Sequence, residues 1–395
     1  MNYEGQICRA PMERSSFMLP VTVGCPYNQC KFCNLFRHLR YRELPAEKIE
    51  EELKRVKDVG GSPTKIFLGD GNAFGLKTER LFWILERIQS YFPDCRTINM
   101  DATVTSILQK SEQELKRLAE YGVRHLYLGI ESGLEDVLTF MKKDHTVSEA
   151  YEAIERLRAA GLIYDAHIMT GVAGRGRGQE NADALAHFLK QTHPAHVVNF
   201  SMFIHREVPL YREIENGNYV PADELESLRE EKRLLEQLNI PVKYEGFHDY
   251  LQIRVRGKLP SDQEKMVGKL ETFIKKYEAK PPIYALVQGE CPDLVKCDNL
   301  EMCGRIHKRY CGRTYYPRNE KEIGGFDMAK NYNSSNQNKA DKNSANRNAM
   351  DKNSANRNAS DKTASRPKWQ GAINSIFLIQ FSIYVISSLL LYLTD

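Results

Sequence analysis

The chain has 395 residues, 42% of them hydrophobic and 27% charged, with a formal net charge of +4. That length and composition suit one large domain or two ordinary ones with a buried core. Nine cysteines, an odd number in uneven clusters, argue against a secreted disulfide framework. The opening residues, MNYEGQICRAPMERSSF, hold no apolar run of the signal-peptide kind, so a reducing cytoplasm is the expected compartment. The positive charge is local: residues 330–368 carry nine Lys/Arg against three Asp, which leaves −2 elsewhere. The body therefore lacks the basic stripe that nucleic-acid binding needs.

From residue 17 to 205, short apolar runs alternate with helical patterns. The runs are MLPVTVG (18–24), TKIFLG (64–69), RTINMDA (96–102), RHLYLGI (124–130), IYDAHIMTG (163–171) and HVVNFSMF (196–203). Helical spacing fills 46–56, 78–92, 111–122, 147–161 and 181–191. Two helices open with Ser or Thr and carry Glu three residues on, as in Thr146 and Glu149. Six strand–helix alternations with Val/Ile/Leu-rich strands predict an α/β fold with a parallel sheet. Residues 206–282 read as a C-terminal extension of this core: a charged amphipathic helix at 222–238, a strand followed by a loop over 243–260, and a helix at 261–279. A cysteine-rich segment follows at 283–326, with Cys291, Cys297, Cys303 and Cys311 within 21 residues. That density suits a second metal site, zinc or iron–sulfur, or else a metal-free surface loop. Residues 327–371 contain a polar ten-residue repeat, ADKNSANRNA then MDKNSANRNA, expected to be a disordered linker. Residues 372–393 carry no charge and would span roughly 33 Å as a helix, enough for a bilayer core. Arg366 and Lys368 precede this stretch and Asp395 follows it, which would leave the body on the cytoplasmic side of a C-terminal anchor. A greasy helix docked on a partner is the alternative.

The chemistry concentrates in GCPYNQCKFCNLF, residues 24–36, where Cys25, Cys30 and Cys33 lie within nine residues. Thiols this close in a reducing compartment usually hold metal. A structural zinc would want a fourth protein ligand, which His38 could supply. A four-iron cluster normally takes four cysteines, so three would leave one iron open to a substrate or cosubstrate. Cys25 follows the first predicted strand, and active sites of parallel α/β barrels collect at that edge.

Here the chain resembles the radical S-adenosylmethionine (SAM) superfamily. The family motif is C-x3-C-x-aromatic-C; CKFC with Phe32 fits its last part, and the first spacing has one extra residue. The resemblance extends along the strand ends and covers roughly residues 17–205. TKIFLGDGNAF places Gly69, Asp70, Gly71 and Asn72 where the family has its glycine-rich SAM contact. Asp101 ends the third strand, where relatives place an acid facing the SAM amino group. Glu131 in YLGIESG is the implied ribose or methionine contact, and Lys143 the implied partner of the SAM carboxylate. His167 and Gly171 in AHIMTGVAG match the adenine-binding segment, and Phe32 would pack near the adenine.

The resemblance implies a partial (β/α)6 TIM-like barrel over 1–205, with Cys25, Cys30 and Cys33 on a 4Fe–4S cluster whose fourth iron takes SAM. One-electron cleavage of SAM would then give a 5′-deoxyadenosyl radical that abstracts hydrogen from substrate. A reductase or a flavodoxin/ferredoxin-type donor would supply the electron. The branch most resembled is that of the tRNA methylthiotransferases and oxygen-independent coproporphyrinogen oxidase. Only Cys8 precedes the loop, which disfavours an N-terminal cluster domain, and Leu35 stands where the oxidases carry a further cysteine. The competing class is a membrane-tethered zinc- or cluster-binding module without catalysis. Substrate identity is not legible.

Overall fold

The computed structural model describes residues 8–287. The expectations for Cys291, Cys297, Cys303 and Cys311, for the linker at 327–371 and for the apolar stretch at 372–393 fall outside the described residues. Among the described residues, no helix is long and apolar enough to cross a membrane.

Strands and helices alternate as β1 (Phe17–Pro20), α1 (Ala46–Asp58), β2 (Lys65–Gly69), α2 (Thr78–Tyr91), β3 (Thr97–Ala102), α3 (Glu112–Glu120), β4 (Val123–Glu131), α4 (Val147–Ala159), β5 (Ile163–Thr170), α5 (Gly178–Thr192) and β6 (His196–Ser201). Then come α6 (Glu224–Gln237), β7 (Val242–His248), β8 (Ile253–Leu259) and α7 (Gln263–Glu278). All eight strands share one sheet in chain order. Strands β1 to β7 pair in parallel, and β8 returns antiparallel beside β7. Each parallel step needs a crossover, which the helices supply. The edges β1 and β8 are not bonded to each other, so the sheet stays open.

Alternation along the strands sorts side chains between two faces. Leu19, Ile66, Leu68, Met100, Leu126, Leu128, Ala166, Ile168 and Val197 pack with Ile49, Leu53, Leu81, Leu115, Ile154 and Leu189 of the helices in one core. The odd partners Phe67, Asn99, Asp101, Tyr127, Glu131 and His167 therefore turn to the opposite, inner face. Helix starts are fixed locally: Ser111 with Glu114 and Thr146 with Glu149 form the capping boxes that open α3 and α4.

Two expectations need correction. The segment 243–260 is not a strand followed by a loop; it is the β7–β8 hairpin, with seven residue pairs in register. In β8, buried Ile253 and Val255 alternate with more exposed Arg254 and Arg256, a period-two pattern that the arginines mask. The first run, 18–24, splits. Phe17–Pro20 joins the main sheet, whereas Thr22–Val23 pairs antiparallel with Arg42–Glu43 and carries the chain toward the cysteine loop. Short helices at Val104–Leu108, Glu135–Phe140 and Pro209–Glu215 were not expected, being under two turns and too short for periodicity to show.

Candidate cofactor site at the strand ends

The cysteine loop leaves the C-terminal end of β1 through Gly24, whose φ of +79° lies in the left-handed region. Asn28, also left-handed, donates from Nδ2 to the carbonyl of Phe36 at 3.0 Å. Arg37 donates from Nε to the Cys33 carbonyl at 2.7 Å and from Nη2 to the Cys30 carbonyl, closing the loop on itself. Two distant segments hold it down. The Lys31 N–H donates to the Met141 carbonyl at 2.9 Å, and the Leu210 N–H donates to the Lys31 carbonyl at 3.0 Å. Lys31 Nζ pairs with Glu213 at 2.7 Å, and the Tyr27 hydroxyl donates to the Lys142 carbonyl at 2.7 Å.

Cys25, Cys30 and Cys33 are free thiols, each partly buried. Burial pushes the Cys30 thiol up to about 12, with Lys143 pulling against it. Burial raises Cys33 as well. Thiols in such surroundings ionise only beside positive charge, which bound iron would provide. His38 is exposed. Among the described residues, no three His, Cys, Asp or Glu side chains converge as the ligands of a single ion would.

The end of β2 abuts this loop. A Cβ on Gly71, whose φ is +54°, would lie 2.5 Å from the Gly24 carbonyl oxygen and 3.1 Å from Cys25 Cα. A Cβ on Gly69 would lie 2.5 Å from the end of Met18. Asp70 is buried and accepts the N–H groups of Gly71 at 3.2 Å and Cys8 at 3.4 Å. Burial nevertheless pushes its carboxyl up to about 7. Asn72 braces the turn that follows, where Oδ1 accepts the Gly75 N–H at 3.1 Å and Nδ2 donates to Thr103 Oγ1 at 3.1 Å.

On the inner face of β3, Asp101 is pushed up to about 8 by burial, then by its neighbours Asp70 and Glu13. At the end of β4, Glu131 sits at φ +62° and its Oε1 lies 3.3 Å from Lys143 Nζ. A Cβ on Gly129 would lie 2.4 Å from that carboxylate and 3.2 Å from Lys143 Nζ, so glycine makes room for the pair. Lys143 is 8% exposed. Burial opposes its charge, but Glu131, Cys30 and Asp144 outweigh burial and raise its pKa above the usual lysine value. Lys143 and the cysteine loop thus share one electrostatic environment.

His167 lies on the inner face of β5, stacked on Tyr127 at 5.8 Å and edge-on to Phe200 at 6.0 Å. Its Nε2 is buried with no hydrogen-bond partner among the described residues. Burial first, then His196 and Lys143, push it down to about 4, so the ring is neutral near pH 7. Gly171, at φ +83°, follows β5; its N–H donates to Glu230 at 2.8 Å and its carbonyl accepts the Tyr219 hydroxyl at 2.9 Å. Phe32 packs against an apolar cluster containing Val137, Met141, Val172 and Leu210.

The strand ends therefore bring Cys25, Cys30, Cys33, Gly69, Asp70, Gly71, Glu131, Lys143 and Gly171 to one edge, with Asp101 and His167 on the inner face below. Sequence reasoning missed the N-terminal segment. Buried Glu13 accepts from Asn99 Nδ2 at 2.7 Å and from the hydroxyls of Tyr127 and Ser16, and pairs with Lys65 at 2.9 Å. Ala10 and Met12 pack on Met18, Phe67 and Tyr127. Asp144 was missed too; burial opposes its charge, but His145 and Lys143 hold its carboxyl below the usual range.

The arrangement suits a ligand that carries both an ammonium and a carboxylate. Asp70 and Asp101 supply two buried carboxyls, pushed up to about 7 and about 8, that a cation would ionise. Lys143 supplies positive charge, and Gly69, Gly71 and Gly129 stand where a Cβ would strike Met18, Gly24 and Glu131. Fold and geometry define an α/β protein with a thiol-bearing candidate site at the C-terminal edge of a parallel sheet.

Residues 19–189 match the family model described as the Radical SAM superfamily, and the chain carries a radical SAM domain. It is 27% identical over 150 residues to the anaerobic magnesium-protoporphyrin IX monomethyl ester cyclase of Cereibacter sphaeroides, covering 38% of this chain and 24% of that one. It is 25% identical over 246 residues to a probable threonylcarbamoyladenosine tRNA methylthiotransferase of Methanothermobacter thermautotrophicus, covering 60% and 55%. The chain thus spans between about a quarter and about half the length of these relatives, which are named as enzymes. Among solved structures, coproporphyrinogen III oxidase from Escherichia coli aligns with a TM-score of 0.41 at 13% identity, over 57% of this chain and 52% of that one.

Proposed function

We propose that this protein is a radical SAM enzyme, with a 4Fe–4S cluster on Cys25, Cys30 and Cys33 and SAM held at the ends of β2 to β5. The observation that carries the reading is the meeting of the cysteine loop with the buried Lys143–Glu131 pair, where the charge of Lys143 bears on the Cys30 thiol. The first six of the seven parallel strands, β1 to β6 with their linking helices, support a partial (β/α)6 barrel around the site. When bound, cluster and SAM would together supply reductive cleavage to a 5′-deoxyadenosyl radical that takes hydrogen from substrate.

The chain's own residues divide the work. Lys143 binds the SAM carboxylate, and Asp101 with Asp70 faces the ammonium. Gly69 and Gly71 leave room beside the loop, while Asn72 holds the turn that presents them. Glu131 contacts the ribose or methionine portion. Neutral His167 offers its unpartnered Nε2 to the nucleoside, beside the Gly171 backbone and Phe32. Arg37 and Lys31 hold the loop in place as charge changes. The electron donor is a reductase or a flavodoxin/ferredoxin-type protein. The readings of Cys291, Cys297, Cys303 and Cys311 as a second zinc or iron–sulfur site and of residues 372–393 as an anchor for a cytoplasmic catalytic domain lie outside the described residues and rest on the sequence alone.

The test is anaerobic. Reconstituted protein, dithionite and SAM should yield 5′-deoxyadenosine, and Cys30→Ala should yield none. Iron-loaded parent protein that binds no SAM, or stoichiometric zinc on Cys25, Cys30, Cys33 and His38, would overturn the reading.

A further inference from the structure

Helix α6, ELESLREEKRLLEQ, reads in sequence as a charged amphipathic helix, and it buries Glu224, Glu230 and Glu231 to 3%, 1% and 0% exposure. Glu224 and Glu231 are committed to His248. Glu230 is directed elsewhere. Its Oε2 accepts the backbone N–H of Gly171 at 2.8 Å, and its Oε1 accepts Asn181 Nδ2 at 2.6 Å. Asn181 Oδ1 accepts the Ser132 hydroxyl at 2.6 Å, and Ser132 Oγ accepts the Leu134 N–H at 3.1 Å. One buried carboxylate therefore joins the turn after β5 to the turn after β4. Ser132 directly follows Glu131, and Gly171 is held from its other side by Tyr219. Gly178 gives Glu230 its close seat: a Cβ there would lie 3.2 Å from Glu230 Cβ.

We propose that Glu230 is a positioning residue for the SAM site. It sets the Gly171 turn directly and, through Asn181 and Ser132, the backbone beside Glu131. The inference rests on the SAM reading above. Each oxygen of this buried carboxyl accepts one fixed N–H donor, so the pair of hydrogen bonds sets the left-handed Gly171 turn before any ligand arrives. Glu230 lies outside residues 19–189, so the cofactor-binding turns depend on a helix beyond the matched region.

The experiment uses the full chain, reconstituted with iron and sulfide. SAM dissociation constants come from anaerobic equilibrium dialysis, and the electron paramagnetic resonance spectrum of the reduced cluster is recorded with and without SAM. Glu230→Gln keeps the shape but has one acceptor oxygen for two donors. SAM affinity should fall on the order of tenfold or more, with iron content unchanged. Glu231→Gln is the control, equally buried on the same helix but bonded to His248 and Tyr244; it should lower stability and leave SAM affinity at the parent's value. Ser132→Ala, at the far end of the same chain of bonds, should weaken SAM binding less but in the same direction. Parental affinity in Glu230→Gln, or equal weakening by Glu231→Gln, would overturn the inference. Should Glu230→Gln fail to fold, parental affinity in Ser132→Ala would overturn it. A parent protein that binds no SAM would instead bring down the underlying reading, and this inference with it.

Discussion

His248 is fully buried between two carboxylates, with Nε2 2.8 Å from Glu231 and Nδ1 3.3 Å from Glu224. Burial works against a charged ring, but Glu231 and Glu224 outweigh it and hold the pKa up at about 9. An unfolded histidine titrates near 6.5. Since the folded value is the higher one, the native state keeps a proton that the unfolded chain gives up. This stabilisation is therefore complete below about pH 6.5 and disappears as the pH climbs through about 9. The gap corresponds to about 3 kcal/mol. His248→Gln removes the cation and leaves two buried carboxylates uncompensated, which costs about 3–5 kcal/mol. Urea unfolding of both proteins between about pH 6 and pH 9.5 should show this penalty in full at the acid end and shrinking toward the alkaline end. The difference between the two proteins isolates His248 from other titrating groups. A penalty of equal size at both ends, or none at pH 6, would refute the assignment of a charged histidine.

The remaining predictions concern the inner face. Asp101, pushed up to about 8, holds its proton at neutral pH until a cation arrives. A SAM ammonium beside it expels that proton, so SAM affinity should rise with pH up to about 8, and Asp101→Asn should flatten the profile; a flat profile in the parent would place the ammonium elsewhere. Glu13→Ala would leave Asn99, Tyr127 and Lys65 without their shared acceptor, costing about 3–5 kcal/mol by urea unfolding and exposing the N-terminal segment first to protease. Stability within about 1 kcal/mol of the parent would show that Glu13 is not the anchor of that segment.

The strands β1 to β6 were legible because each is a short run rich in Val, Ile, Leu and Met set between stretches of helical spacing, even where the inner face carries Asn99, Asp101 or His167. The capping boxes at Ser111 and Thr146 were legible because both partners lie within four residues. The candidate site was legible because a parallel sheet puts every strand-to-helix loop at one edge, so motifs scattered over Cys25 to Gly171 must converge there. What failed was anything whose meaning depends on distant partners. Arg254 and Arg256 hid β8, since half of that strand faces away from the core. Glu13 looks like a surface residue because isolated glutamates usually are; its burial depends on Asn99 and Tyr127, 86 and 114 residues away. The charged amphipathic helix expected at 222–238 gives no sign of which carboxylates of α6 are buried, their acceptor roles being set by Gly171, Asn181 and His248.

These misses share a position relative to the site. The contacts proposed for SAM and cluster come from residues 25 to 171, and 19–189 is the span that matches the family. The groups that hold those contacts in place come largely from outside it. Glu13 braces Tyr127, on which His167 stacks. Leu210 and Glu213 clamp the cysteine loop through Lys31. Glu230 and Tyr219 fix the Gly171 turn from its two sides. A motif can be read from a short span because its residues need only be of the right type and order. Their placement to within a hydrogen bond is a property of the whole sheet, with its N-terminal segment on the inner face and α6 against the outer one.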